Sequence, residues 1–205
     1  MSRSFRLIYG VGVNDAAYRV SATENIGGRT KNIWICPVYR VWTGMLERCY
    51  SAKFQARNTT YRGCAVENEW MRFSVFRAWM IQQDYEGKHL DKDILFPGNK
   101  MYSPDRCAFV CPDINRFVVD SGAIRGDWPI GVTWNVARKM FAAQCRNPFT
   151  KQHKFLGYFD SAELAHEAWR AHKYQIALTY AESQADPRVA AALRARYAGP
   201  AEIFA

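Results

Sequence analysis

The 205-residue sequence has no run approaching the roughly 18 apolar residues that a membrane-spanning helix needs. Its first residues, Met1-Ser2-Arg3-Ser4-Phe5-Arg6, are basic, but the apolar stretch after them, Leu7-Ile8-Tyr9, is short and is cut by Gly10 and Gly12, which is unlike a signal peptide. The six cysteines (Cys36, Cys49, Cys64, Cys107, Cys111 and Cys145) include no Cys-x-x-Cys pair. A chain this long with ample core material does not need a disulfide framework, so the thiols read as reduced and the protein as intracellular. Gly27-Gly28 is not followed by Gly-Lys-Ser/Thr, which excludes a P-loop there. Negative charge is also scarce: 19 Asp+Glu stand against 28 Lys+Arg, giving +9 and a pI near 9.4. That balance predicts a polyanionic partner, the plainer alternative being a solvated basic surface. What is present in quantity is core material, 49% hydrophobic and 15% aromatic residues, which excludes a disordered chain.

Three regions are predicted. Residues 1–36 are rich in Gly, Asn, Arg and Thr and read as a basic irregular arm with one short strand near 5–11. In residues 37–120, Pro37 precedes Val38, Val41, Trp42, Met45, Leu46 and Cys49, a helical spacing. A second helix is predicted over 68–83, with Trp70, Phe73, Phe76, Trp79 and Met80 on one stripe; such a stripe reads as core rather than a base-stacking platform. A strand at Leu90-Asp91-Lys92-Asp93-Ile94-Leu95, a turn at Pro97-Gly98-Asn99, a strand at Cys107-Ala108-Phe109-Val110 and a helix from Pro112 follow. Residues 121–205 carry three strand signals, at Gly131-Val132-Thr133-Trp134, at 139–145 and at 154–159, then a long helix capped by Ser161 and a peripheral Ala/Arg-rich helix. The fold class read from this order is α+β: a central two-strand-and-helix module, then a three-stranded antiparallel sheet packed on one long helix.

In the C-terminal module the alternation of a strand puts Phe141 and Ala143 toward the helix. Lys139, Ala142 and Gln144 compete for the opposite face, with Arg146 at the strand end. Trp134, Arg138, Lys151 and Lys154 fall at strand ends and turns, and Arg125 precedes the first strand. A twisted three-stranded sheet fits a DNA major groove, with cations at its margins on phosphates. Gly131-Val132, Phe141-x-Ala143, Leu156-Gly157-x-Phe159, Ser161-x-Glu163 and the pair Ala165, Ala168 resemble the APETALA/ethylene-response DNA-binding domain. The resemblance covers about the last third of the chain and implies a sheet that reads double-stranded DNA. Phe141 stands where that family usually has Trp, so no sequence preference is carried over.

In the central module, Asp91 and Asp93 lie two apart, on one side of a strand if it continues through both, and two carboxylates can hold one hard cation such as Mg²⁺. His89 would share that face; Cys107 is a further candidate ligand. The plainer alternative is a satisfied turn, or carboxylates paired with Arg48 or Arg106. Trp42-x-x-Met45-Leu46-x-Arg48-Cys49-Tyr50, the 90–95 strand, Gly98-Asn99-Lys100-x-Tyr102-Ser103-Pro104 and Cys107-x-Phe109-Val110 resemble a phage subgroup of HNH-like endonucleases, with their ββα-metal fold. That resemblance implies a DNA endonuclease or nickase acting in the cytoplasm of a bacterial host cell. Asp91, Asp93 and Cys107 would hold Mg²⁺ or another divalent ion, and Asn99 would orient a ligand or phosphate. His89 or Asp93 would activate water, and Lys92 would stabilise the phosphorane charge. The family shows Asp-His or His-His where this sequence has Asp91-Lys92, and lysine is a poor general base at its ordinary pKa. Two further readings stay open: a non-catalytic phage DNA-binding or anti-defence protein, and an inhibitor whose basic face docks on an acidic protein.

Overall fold

The computed structural model describes residues 7–119 and 127–199, so Arg125 lies outside the described residues. Among those residues the chain is α+β, with six α-helices and nine short strands in four small sheets. No described helix is long and apolar enough to cross a membrane. The chain divides into two compact units between Phe109 and Val110.

In the first unit, the predicted irregular arm contains a hairpin. Strand β1 (Ser21–Ile26) pairs antiparallel with β2 (Arg29–Ile35). Gly27 and Gly28 between them have φ of +62° and +76°. A two-residue hairpin loop of this kind needs positive φ at both positions, so the pair that reads as flexible is the turn itself. Of the strand predicted near 5–11, residues 5 and 6 lie outside the described residues, and the rest forms a tight turn in which the Val11 and Gly12 amides donate to the Ile8 carbonyl (3.1 and 2.9 Å).

Helix α1 (Pro37–Tyr50) begins on Pro37, whose missing amide costs nothing at a first helical turn, and buries Val38, Trp42, Met45, Leu46 and Cys49 as its spacing predicts. A short helix, α2 (Ala52–Arg57), and strand β3 (Ala65–Val66) follow. The helix predicted over 68–83 is split into a 3₁₀ turn, Asn68–Met71, and α3 (Phe73–Met80), with Arg72 extended between them (φ −95°, ψ 126°). A distant segment causes the break: the Val13 amide donates to Met71 O (2.8 Å), and the Phe73 amide donates to Val13 O (3.0 Å). Asp15 then caps α3, accepting from the Ser74 amide (2.8 Å) and hydroxyl (2.7 Å). The aromatic stripe is core on both sides of the break, and the Trp42 indole N–H donates to Trp70 O (2.7 Å).

Strand β4 (His89–Asp91) pairs with β6 (Ala108–Val110), while β5 (Met101–Tyr102) pairs parallel with β3. The next helix, α4 (Pro112–Val118), is part of the second unit, where Phe117 packs on Tyr180 and Tyr197 (ring centroids 5.1 and 5.5 Å). The strand–loop–strand–helix segment is therefore shared between two compact units.

The second unit carries β7 (Val132–Asn135), β8 (Met140–Arg146) and β9 (His153–Phe159) as one antiparallel sheet, followed by α5 (Ala162–Glu182) and α6 (Pro187–Arg196). The Ser161 hydroxyl caps α5, accepting from the Leu164 amide (3.2 Å). Val132 and Ala143 of the sheet pack with Ala162 and Ala165 of α5, so α5 covers one sheet face. Gly131 has φ +83°, and a Cβ there would run into the Trp169 ring; both the turn and the close approach of α5 require glycine.

Candidate functional site

The register of the sheet assigns each predicted contact to a face. Ala143 is fully buried under α5; Val132 stands opposite it, and Trp134 stands opposite Phe141 two residues along on the same side. Trp134 therefore lies on the helix side, with its ring 4.8 Å from that of Phe141. The outer face carries Thr133, Asn135, Ala142, Gln144, Arg146 and Tyr158. It has no carboxylate; Gln144 is exposed on it as the alternation predicts, and Arg146 is exposed at the strand end.

A β-bulge between Ala143 and Gln144 changes the assignment of β9. Gly157 is the partner of Ala143, but Phe155, not Leu156, is the partner of Gln144. Beyond the bulge Phe155 lies on the outer face and is 55% exposed, while Lys154 stands opposite buried Cys145 on the helix side. There burial, with Lys154 adding to it, holds the His172 imidazole below its ordinary pKa. Phe155 packs against Tyr158 (4.9 Å), and the Arg138 guanidinium lies 4.8 Å from the Tyr158 ring centre. Asn135 accepts from the Arg138 amide (2.9 Å) and so shapes the turn that aims Arg138. Lys139 lies in that turn at φ +51°, not on the strand. Phe155 and Tyr158 are the residues that sequence reasoning missed. Gly157, at φ +141° inside a strand, is the available signal, since an interior glycine often marks a bulge.

Lys151 sits in the β8–β9 turn at φ +60°. It lines a cavity of about 290 Å³ together with Asp113, Arg116 and Phe117 of α4, Arg146 at the end of β8 and Lys173 of α5. Arg116 is paired with Asp113 within α4. The Lys173 ammonium donates to Phe117 O (2.7 Å) and lies 3.6 Å from the centre of the Phe117 ring. Burial is the main cause that lowers its pKa from 10.5 to about 8, with Arg196 adding to it.

In the first unit, Asp91, Lys92, Asp93 and Asn99 do come together. Strand β4 ends at Asp91, so Asp91 and Asp93 do not alternate along one strand as predicted. The turn that follows is why: one Asp91 carboxylate oxygen accepts from the amides of Asp93 (2.8 Å) and Ile94 (2.6 Å). Lys92 is 5% exposed and donates to Asp93 (2.6 Å) and to Asn99 O (2.7 Å). The Asn99 amide donates to Lys92 O (2.9 Å) and Met101 O (2.7 Å) and accepts from the Met101 amide (3.0 Å). His89 is exposed at the start of β4.

These groups do not fit a hard divalent cation as arranged. The Lys92 ammonium holds the place beside Asp93 that a cation would take. Burial pushes the Asp91 carboxyl above the usual carboxylate range, against its two amide hydrogen bonds. Burial also pushes the Cys107 thiol up to about 12, and a protonated thiol is no ligand for Mg²⁺. Among the described residues no group of three His, Cys, Asp or Glu is arranged to hold a metal ion. A larger open cavity in this unit, about 480 Å³, is lined by Glu67, Glu69 and Asp105 with Arg106, a charge that repels phosphate.

Comparison with protein-family models, with curated proteins and with solved structures finds no match.

Proposed function

We propose that this is a DNA-binding protein whose second unit docks the open face of its three-stranded sheet into the major groove of a duplex. The observation that carries the reading is the composition of that face. It combines Gln144 and Arg146 at its centre and end, the Arg138–Tyr158–Phe155 stack across it, and no carboxylate. Three strands at the usual spacing span about 10 Å, close to the roughly 12 Å width of the groove. Gln144 and Arg146 reach base edges, and Arg138 lies at the margin where phosphates run. In this reading the loop at 91–99 stays closed by its own hydrogen bonds and holds the first unit's shape, and the protein binds DNA without cutting it.

The test is duplex binding measured against salt concentration. Arg138→Ala is expected to weaken binding and lower the salt slope by about one unit. Lys154→Ala leaves it unchanged, because that residue faces α5. Equal losses in the two variants, or tighter binding of a single strand than of the duplex, overturn the groove reading. Nicking of supercoiled plasmid in Mg²⁺, abolished by EDTA and by Asp91→Ala, would establish the competing HNH-like endonuclease with a ββα-metal site.

A further inference from the structure

The cavity of the second unit gathers cations from three elements. Arg146 comes from the end of β8, Lys151 from the β8–β9 turn and Lys173 from α5, and the one carboxylate in the lining, Asp113, is taken by Arg116. Among the described residues no carboxylate pairs with any of these three. An ammonium carries three donors, and Lys173 uses one of them, on Phe117 O. A partly buried ammonium without a counter-charge is costly, and here only a carbonyl and aromatic rings attend it. The turn carrying Lys151 is built: the Asn147 side chain accepts from the amides of Phe149 (2.8 Å) and Thr150 (3.2 Å), and the Asn147 backbone N–H donates to Gln152 O (2.8 Å).

We propose that this cavity is a binding site for a phosphate dianion, either inorganic phosphate or the terminal phosphate of a phosphomonoester. At about 290 Å³ it lies at the small end of ligand sites, enough for a phosphate and a little of what it is attached to. A dianion answers three facing cations better than the single charge of a nucleic-acid backbone diester, and charge-assisted hydrogen bonds to its oxygens use the donors that Lys173 leaves free. Burial holds the Lys173 pKa low at about 8, and a bound anion would raise it again. The cavity shares Arg146 with the end of the sheet face proposed to read DNA, while Lys151 and Lys173 belong to the cavity alone.

The experiment is titration of the full chain with inorganic phosphate, followed by calorimetry at matched ionic strength against chloride. The wild type is expected to bind. Lys173→Met, which keeps the side chain's bulk, and Lys151→Ala, an exposed position that leaves the fold intact, are each expected to weaken phosphate about ten-fold, the loss of one charge-assisted contact. No binding by the wild type, or unchanged affinity in Lys151→Ala, overturns the proposal even if Lys173→Met fails to fold. Phe155→Ala is expected to leave phosphate affinity unchanged while weakening duplex DNA, so failure of this site and failure of the sheet reading are separable. A duplex with 5′-phosphorylated ends, bound about ten-fold more tightly than its 5′-hydroxyl counterpart, would identify the source as a DNA end; equal binding of the two, with inorganic phosphate still bound, would identify it as a free phosphate compound.

Discussion

Lys92 of the first unit is buried and Lys173 of the second is partly buried, and the two ammonium groups meet opposite surroundings. Lys92 has a carboxylate and a carbonyl within 2.7 Å, and the loop around it leaves no polar atom of Asn99 without a partner. Lys173 has one carbonyl and three aromatic rings and no carboxylate partner among the described residues, and burial lowers its pKa to about 8. A buried cation with its counter-charge in place completes a structure; a partly buried one at a cavity without a counter-charge is poised for a ligand to supply it. A cluster of catalytic residue types, such as Asp91, Lys92, Asp93 and Asn99, therefore says little until its hydrogen bonds are counted.

The comparison can be broken by substitutions that should act in opposite directions. The largest effect is expected from Asn99→Ala, which strips partners from the Lys92 and Met101 carbonyls and the Met101 amide and should cost about 3 kcal/mol in chemical denaturation. Lys92→Met comes next, at about 2 kcal/mol. It orphans the Asn99 carbonyl, but half-exposed Asp93 regains water, which holds the loss below that of a fully buried pair. The same substitution at Lys173 is expected to cost nothing at pH 7 and to stabilise by up to about 1 kcal/mol. If Lys92→Met and Lys173→Met destabilise equally, the contrast between the two lysines fails.

A pH series sharpens it. The folded pKa of Lys173 lies below its unfolded value of 10.5, so between about 8 and 10.5 the unfolded chain binds more protons, and this group's contribution to stability rises with pH. The advantage of Lys173→Met should therefore be full below pH 8 and fade above it. Cys145, Arg196, Tyr197, Arg146 and Lys151 also face the site. Burial raises the pKa of the Cys145 thiol and the Tyr197 phenol, which pulls stability the other way at high pH, so the informative quantity is the difference between variant and wild type. The smallest effect is expected at Phe155→Ala, within about 0.5 kcal/mol of wild type in stability because the ring is exposed on the open face.

Where periodicity was set by one packed face, the sequence was legible. The stripe of α1, the Ser161 cap of α5 and the β7–β8–β9 order all stand where spacing puts them. The helix over 68–83 was not, because Val13, far away in the chain, takes the backbone groups flanking Arg72. Within the candidate interface, Gln144 followed from simple alternation and Arg146 from its place at the strand end. Phe155 and Lys154 did not, since the bulge shifts the phase of everything before it in β9. Lys173 carries no mark in the sequence: it is one cation within an amphipathic helix, and only the approach of α4 and the β8–β9 turn turns it into part of a cavity.

The bulge in β9 also bears on how the chain can change in length. Leu156 has no cross-strand partner of its own, and it packs inward beside Gly157, which offers no side chain to that layer. Deleting Leu156 would leave Phe155 opposite Gln144 and Gly157 opposite Ala143, as they are now. Chain length and surface identity are decoupled at that one position. A descendant one residue shorter there would present the same outer face, while a comparison that aligned strict alternation through the strand would swap Lys154 for Phe155 on the surface.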